Sequence, residues 1–153
     1  MDLGIKDRVA FITGASAGIG LSTAEAFVKE GAKVIICGRN EQKLNDAKNQ
    51  LKNTTGSEVD AYACDTSNFD QVEKTVNQII KVHDKIDILI NNAGKAQAGG
   101  VVDAKPEDWK SMIDVKIYSL INTCKLIAPV MKKNKWGRIC LLYTSDAADD
   151  GYR

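Results

Sequence analysis

The sequence predicts an α/β fold: a doubly wound, Rossmann-like parallel sheet with helices on both faces, making three layers. Three observations support this prediction. Short apolar runs alternate with amphipathic segments along the 153 residues, a glycine cluster separates the first run from the first helix, and no repeat or low-complexity linker breaks the order. Because parallel strands need crossover helices, this alternation is typical of such a sheet.

Five strands are expected, and the sheet is predicted to be truncated after the fifth. The first two carry the runs RVAFIT and KVIIC, which are apolar enough for the middle of a sheet. The third has weaker alternation, which places it toward an edge. The expected strands are Arg8–Thr13, Lys33–Cys37, Glu58–Ala63, Ile86–Ile90 and Trp136–Leu142.

Four helices are expected between these strands. Gly31 is placed to close the first helix and Asn40 to cap the second. Pro106 suits the first turn of the last helix, and Pro129 is expected to kink its final part. The expected helices are Ile19–Glu30, Asn40–Leu51, Phe69–Val82 and Pro106–Lys132.

The composition narrows the classes of function. With 21 basic and 20 acidic side chains, the net charge of +1 argues against a nucleic-acid partner. No apolar run approaches the roughly 18 residues of a membrane span, and no signal peptide is visible. A small-molecule partner is therefore favoured.

The cysteines and the histidine are not expected to hold a metal. The four cysteines lie far apart and form no C-x-x-C pair, so they are predicted to be reduced, buried thiols of a cytoplasmic protein. The single histidine, His83, is expected to be solvated. The cysteines are Cys37, Cys64, Cys124 and Cys140.

A glycine loop, TGASAGIG, joins the first strand to the first helix over Thr13 to Gly20. Glycines here let the chain turn sharply and bring bare backbone against a pyrophosphate, while the helix N-terminus offers unpaired N–H groups. A tight turn alone is the alternative interpretation. The position between strand and helix favours phosphate binding.

Gly38-Arg39 stands at the end of the second strand, where the ribose of a dinucleotide is expected. A carboxylate there would repel a 2′-phosphate, whereas a guanidinium binds it. We therefore expect NADP(H) to be preferred over NAD(H). Ala17 supplies no second cation, and a solvated arginine ahead of a helix is the alternative interpretation.

Polar residues also follow the third and fourth strands. Asp65-Thr66 either contacts the adenine amino group or caps the next helix. The segment Asn91-Asn92-Ala93-Gly94 follows the fourth strand. Its amides are suited to bonding neighbouring backbone, and its small residues let a cofactor approach.

Taken in this order, TGASAGIG, GR, DT and NNAG resemble the short-chain dehydrogenase/reductase family over about residues 4 to 139. The opening segment is similar to that of bacterial 3-oxoacyl-thioester reductases. The resemblance implies hydride transfer between a nicotinamide and a carbonyl or secondary alcohol, in a parent protein that is a homo-oligomer. It implies these cofactor-lining residues: Gly14, Ser16, Gly18, Ile19, Gly20, Arg39, Asp65, Thr66, Asn92, Ala93, Gly94 and Val115.

The chain departs from the family's catalytic pattern. No Tyr-x-x-x-Lys occurs, and Lys116, within Asp114-Val115-Lys116, stands where the family has a catalytic Asn. We expect residues 1–139 to be an incomplete dinucleotide-binding domain and 140–153, which resemble a translated sequencing adapter, to be a non-native tail. The chain is then an inactive fragment of an NADP(H)-dependent oxidoreductase; the alternative is a non-catalytic dinucleotide-binding sensor or scaffold.

Overall fold

The computed structural model describes residues 3–94 and 102–142. The strands are β1 (Val9–Thr13), β2 (Lys33–Gly38), β3 (Asp60–Ala63), β4 (Ile88–Asn91) and β5 (Arg138–Leu141). All neighbours are parallel, in the order β3-β2-β1-β4-β5. The predicted fold class is confirmed, as is the edge position of the third strand. The direction of progression reverses between β1 and β4, so the sheet's topological switch point lies there.

The helices are α1 (Gly18–Lys29), α2 (Glu41–Thr55), α3 (Phe69–His83), α4 (Pro106–Ile113) and α5 (Ser119–Lys133). A π-helical turn over Asp114–Tyr118 separates α4 from α5. The prediction of a single helix from Pro106 to Lys132 is therefore wrong. The spacing of apolar residues in this segment does not distinguish a π-helical turn from a continuous α-helix. Within the described ranges, none of these helices is long and apolar enough to cross a bilayer.

Local signals set most helix ends. The Asn40 side chain accepts a hydrogen bond from the backbone N–H of Lys43 at 2.9 Å, as its predicted cap role requires. Gly31, at φ 79°, donates its N–H to the Val28 carbonyl at 2.9 Å and closes α1. Helix α2 runs past its predicted end to Thr55, and the left-handed backbone of Gly56, at φ 72°, ends it.

The two faces of the sheet bury separate cores, because alternate side chains of a strand point to opposite sides. Ile12 and Ile36 pack with residues of α1 and α2 on one face. Phe11 and Ile35 pack with residues of α3 and α5 on the other. The three-layer arrangement is confirmed.

Two expectations about single side chains are wrong. His83 is half-buried rather than solvated, because its Nε2 lies 2.7 Å from Asp60 Oδ2 at the edge strand. All four cysteines are free, but Cys140 is exposed, since it lies on the uncovered edge strand β5. Residues 140 and 141 of the expected tail continue β5, and residues 143–153 lie outside the described part of the chain.

A buried carboxylate ties the amino ends of the strands together, away from the switch-point loops. Asp87 is 1% exposed, and its Oδ2 accepts from the backbone N–H of Val9 at 2.9 Å. Arg8 Nη1 and Lys85 Nζ lie 3.3 and 3.0 Å from its oxygens. The Arg8 guanidinium also stacks 3.8 Å over the Trp136 ring, which extends the cluster toward β5.

We expect Asp87→Ala to lower the free energy of unfolding by about 2–4 kcal/mol, because it leaves the Val9 N–H and two cations without their acceptor. Urea denaturation followed by circular dichroism measures this change. Glu25→Ala removes an ion pair to Lys29 that lies at the surface and is the matched control, with an expected change of under about 1 kcal/mol. Equal effects of the two substitutions would contradict the role given to Asp87.

Candidate functional site

The loops after β1 and β4 are bonded to each other at the switch point. Asn92 Nδ2 donates to the Thr13 and Gly14 carbonyls at 2.9 and 3.0 Å. Thr13 Oγ1 accepts from the backbone N–H groups of Asn92 and Ala93 at 3.1 and 3.0 Å. These four contacts fix the glycine loop against the NNAG segment. Of the two amides expected to bond neighbouring backbone, only Asn92 does so, because the Asn91 side chain contacts the side chains of Cys124 and Thr123 instead.

The glycines of the loop leave room that no side chain could share. Gly14 has φ 64°, and a Cβ there would lie 2.8 Å from Ala93 Cα. A Cβ on Gly20 would lie against Asn92 Nδ2 and 2.7 Å from the Gly14 carbonyl oxygen. Gly18, at φ 57°, would meet no atom within 4 Å, so its outer side is open.

The amino end of α1 points its unpaired backbone groups into this open space. Ala17 stands at the N-cap and makes no side-chain cap hydrogen bond, and the first turn carries no acidic residue. The macrodipole and the free N–H groups therefore favour an anion here. Ile19, in the same turn, is 71% exposed.

A groove of about 180 Å³ lies at the carboxyl ends of the strands. Its lining residues are Gly14, Ser16, Gly38, Arg39, Cys64, Asp65, Thr66, Ala93, Gly94 and Val115. Eight of the twelve residues predicted to line a cofactor are among them. Arg39 is exposed, and within residues 3–94 and 102–142 it has no ion-pair partner.

The structure shows a different role for Asp65 from helix capping. Its Oδ1 accepts from the backbone N–H and the hydroxyl of Ser67 at 3.0 and 2.7 Å, and Asn68 caps α3 instead. The capping alternative is therefore wrong. Thr66 is buried and donates its hydroxyl to Ser119 Oγ at 2.8 Å, which anchors this loop to α5.

A second cavity, of about 460 Å³, adjoins the groove through Ala93 and Gly94. Lys116, from the π-helical turn, is the one charged residue among the described residues that line it. The others are Thr13, Ile19, Asn91, Asn92, Ile117, Ser119, Leu120, Leu141 and Leu142. Ile19, Asn92 and Lys116 are thus brought together here, whereas Gly18 and Gly20 line neither cavity and support the loop.

The polar face of α5 is a part of the site that the sequence analysis missed. Asn122 Nδ2 donates to the Thr66 and Ser67 carbonyls, both at 3.1 Å. Thr123 Oγ1 donates to Asn91 Oδ1 at 2.8 Å. The spacing of Ser119 from Asn122 and Thr123 on one helical face was the available signal, but a solvated face has the same pattern.

Two thiols at the ends of β2 and β3 were expected only as buried cysteines, yet one lines the groove. Hydrogen bonding to Cys37 is the main cause that lowers the pKa of Cys64, to about 7, with a further contribution from Thr75. The same contact, together with burial, raises the pKa of Cys37. Among the described residues, no group of acidic, histidine or cysteine side chains could hold a metal ion.

The chain is similar in sequence and in fold to known oxidoreductases. The family model for short chain dehydrogenases matches residues 8–152. The chain is 40% identical over 131 residues to a 3-dehydrosphinganine reductase of Arabidopsis thaliana, covering 86% of this chain and 39% of that protein.

Two solved structures are also similar to this chain. One is L-sorbose reductase from Gluconobacter frateurii in complex with NADPH and L-sorbose, with TM-score 0.85, 33% identity, and coverage of 92% of this chain and 54% of that one. Another is an NAD⁺-bound xylitol dehydrogenase, with TM-score 0.84, 28% identity, and coverage of 90% and 53%. The chain thus spans about two fifths to one half of the length of these relatives.

We expect Gly20→Ala to destabilise the chain by about 2 kcal/mol or more, because the new methyl group overlaps the Asn92 amide and the Gly14 carbonyl. Urea denaturation measures this loss, and proton–deuterium exchange at residues 13–20 locates it. Gly56→Ala is the matched control. It adds a methyl group at φ 72° with no atom within 4 Å, so only a backbone cost of about 1 kcal/mol is expected. A loss no greater than that of the control would show that Gly20 is not packed as described.

Proposed function

Because the chain belongs to the short-chain dehydrogenase/reductase family, we propose that it carries the dinucleotide-binding part of an NADP(H)-dependent oxidoreductase. Its substrate is a small molecule that contains a carbonyl group or a secondary alcohol. The proposal rests on the groove at the switch point. Its lining includes Gly14, Gly38 and Gly94, and it lies near the N-terminus of α1, which has no side-chain cap. In open parallel sheets this is where ligands bind.

The pyrophosphate of the cofactor fits the glycine loop. A Cβ on Gly18 would meet no atom within 4 Å, so space is available beside it. Side chains at Gly14 and Gly20 would instead clash with neighbouring atoms of the two loops. The α1 N-terminus supplies N–H donors and no repelling carboxylate. Ser16 lies beside Gly38, because a Cβ on Gly38 would be only 3.3 Å from the serine Oγ. We therefore assign the adenosine half of the cofactor to the surface that these two residues form.

The proposed preference for NADP(H) rests on Arg39. Its guanidinium is exposed at the end of β2, lines the groove, and has no carboxylate partner in the described part of the chain. A 2′-phosphate would give it charge-assisted hydrogen bonds worth about 1.5–3 kcal/mol. One superposed relative is named with NADPH and another with NAD⁺, so the family alone leaves the choice open.

The nicotinamide is assigned to the second cavity, where it would supply or accept the hydride. Apolar side chains such as Leu120 and Leu141 exclude water there, while the NNAG segment supports the cofactor from the β4 side. Lys116 brings a positive charge to this cavity at the position of the family's catalytic Asn. The family's proton-transfer pair, Tyr-x-x-x-Lys, does not occur in this sequence.

We therefore assign binding without turnover to the chain as given, and turnover to a parent protein. The second candidate is a non-catalytic dinucleotide-binding sensor or scaffold, which needs the same glycine loop. The two candidates share the groove and differ only in the presence of a catalytic Ser and Tyr-x-x-x-Lys. Resequencing the source DNA across codon 139 would decide between them.

Assembly and location are part of the proposal. Ile113, Ile117 and Ile121 follow one another along α4, the π-helical turn and α5, and each is about half exposed. Such an apolar stripe supports a homo-oligomeric parent. The free thiols support a cytoplasmic location.

Arg39→Asp is expected to reverse the cofactor preference. Loss of the guanidinium and repulsion by the new carboxylate should weaken NADPH binding by about tenfold or more and leave NADH binding little changed or improved. Nicotinamide fluorescence titration gives both dissociation constants. Lys74→Asp, a charge reversal at an exposed position of α3, is the matched control. An unchanged NADPH-to-NADH affinity ratio in Arg39→Asp would contradict the role proposed for Arg39 in cofactor preference.

The chain as given should bind NADPH and not oxidise it. We expect saturable fluorescence enhancement, with no carbonyl-dependent loss of absorbance at the nicotinamide wavelength across a panel of aldehydes and ketones. Failure to bind would contradict the proposed function. Turnover that survives removal of residues 143–153 would contradict the view that the chain lacks its proton donor.

A further inference from the structure

We propose that Lys116 selects the substrate of the second cavity: a carbonyl compound with an apolar body and a carboxylate, which the Lys116 ammonium binds. The proposal rests on the proposed function for the statement that this ligand is the substrate. It does not rest on that function for the charge preference of the cavity, which follows from the residues that line it.

The Lys116 ammonium has no protein partner within the described ranges. Residues 3–94 and 102–142 give its Nζ neither an ion pair nor a hydrogen bond. Asp114, the acidic residue of the same π-helical turn, already lies 3.0 Å from Lys110 Nζ. Because the Lys116 side chain is exposed and lines the second cavity, its charge is available to a ligand there.

Most of the other lining residues offer apolar contact. The described lining contains no Asp or Glu, and the cavity measures about 460 Å³. Such walls favour a ligand that buries an apolar body. An anionic group on that ligand meets the Lys116 cation and no carboxylate of the described lining. The apolar residues with long side chains are Ile19, Ile117, Leu120, Leu141 and Leu142.

The polar side chains of the same lining are already bonded within the protein. Thr13 Oγ1 contacts the backbone of β4 and of the NNAG segment. Asn92 uses both amide hydrogens on carbonyls of the glycine loop, and Asn91 Oδ1 accepts from a hydroxyl of α5. Ser119 Oγ accepts from a hydroxyl of the loop after β3. Lys116 is therefore the side chain of the described lining with its full donor capacity left for a ligand.

The π-helical turn distributes neighbouring residues between the two sites. Val115 lines the groove, whereas Lys116 and Ile117 line the second cavity. The two sites share Ala93 and Gly94. An anion bound by Lys116 would thus lie in the cavity assigned to the nicotinamide, where a carbonyl on the same ligand can face the ring. The flexible four-carbon stem of the lysine lets its ammonium follow the ligand.

The cofactor is the competing partner for this charge, because its pyrophosphate is also an anion. The pyrophosphate already has a site at the glycine loop and the uncapped N-terminus of α1. Lys116 is not among the described residues that line the groove. The substrate is therefore the better match to the Lys116 ammonium.

The first test is titration of the NADPH-saturated chain with 6-oxoheptanoate and with 6-oxoheptanamide, followed by NMR chemical shifts of the backbone amides. The two probes share a ketone and a hydrocarbon chain and differ in charge. We expect the acid to bind about fivefold more tightly at low salt, with shifts at residues 116–120. In about 0.5 M salt the preference should largely vanish, because the charge of an exposed lysine is screened. Equal affinities at low salt, or binding of neither probe, would overturn the proposal.

A matched set of variants tests the cause of the preference. Lys116→Met removes the charge and keeps a long side chain, so acid and amide should then bind about equally. Lys116→Arg keeps a cation and should retain most of the preference. Lys132→Met, at an exposed position near the end of α5, is the control and should keep the wild-type ratio. A preference that survives in Lys116→Met, or that Lys132→Met loses equally, would overturn the role of Lys116.

NADPH titrations of the same variants separate this proposal from the proposed function. If Lys116→Met weakens NADPH binding and leaves the acid-to-amide ratio unchanged, the charge serves the cofactor and the proposal is overturned. If the wild-type chain fails to bind NADPH, the proposed function fails. The two probes are then compared on the chain without cofactor, where a preference lost in Lys116→Met supports charge selection by Lys116 and equal binding overturns it.

Discussion

The contact between Thr13 and Asn92 is the constraint on which the site depends. It joins the loop after β1 to the loop after β4 at the place where the sheet reverses its direction, and parallel strands alone would leave that place open. Because Asn92 uses both amide hydrogens on the carbonyls of Thr13 and Gly14, the glycine loop has one position relative to the NNAG wall. The close approach of the two loops also excludes side chains at Gly14 and Gly20, since a Cβ on Gly14 would lie 2.8 Å from Ala93 Cα and a Cβ on Gly20 would overlap the Asn92 amide.

A second set of contacts joins α5 to the loops that follow β3 and β4. Helix α5 is packed on the sheet by apolar residues such as Ile127, yet the end of the helix that reaches the site buries amide and hydroxyl groups. Asn122 satisfies two carbonyls of the Thr66-Ser67 loop, and Thr123 satisfies the Asn91 side chain. Buried polar groups are costly when unpaired, so these pairs allow one arrangement of the helix and the two loops. The π-helical turn immediately before α5 brings Lys116 to the second cavity from the same helical segment.

Sequence reasoning predicted the sheet, its edge strand and the loops of the site because these have local signatures. The alternation of runs gave the strands, and Asn40 and Gly31 marked helix ends through hydrogen bonds to their own neighbours. Asp65 was ambiguous because an Asx turn and an N-cap use the same side chain, and only the position of Asn68 decides between them. The polar face of α5, the Cys37–Cys64 contact and the π-helical turn were not predictable, because each depends on residues that are distant in sequence or on a backbone widening that leaves no apolar pattern.

The groove and the second cavity differ in the kinds of residue that line them. In the proposed function, the adenosine and pyrophosphate half would use backbone geometry, glycines and the Arg39 guanidinium, which are positioned by β1, β2, β3 and the start of α1. The proposed nicotinamide half would use an apolar cavity with Lys116 as the cation among its described lining residues, and hydride transfer there would also need a proton donor matched to the working pH. Affinity and chemistry are therefore separable in this fold. In the proposed function, a chain could hold the cofactor through the first half while lacking a Tyr-x-x-x-Lys in the second, and a change at Arg39 would act on binding before any chemical step.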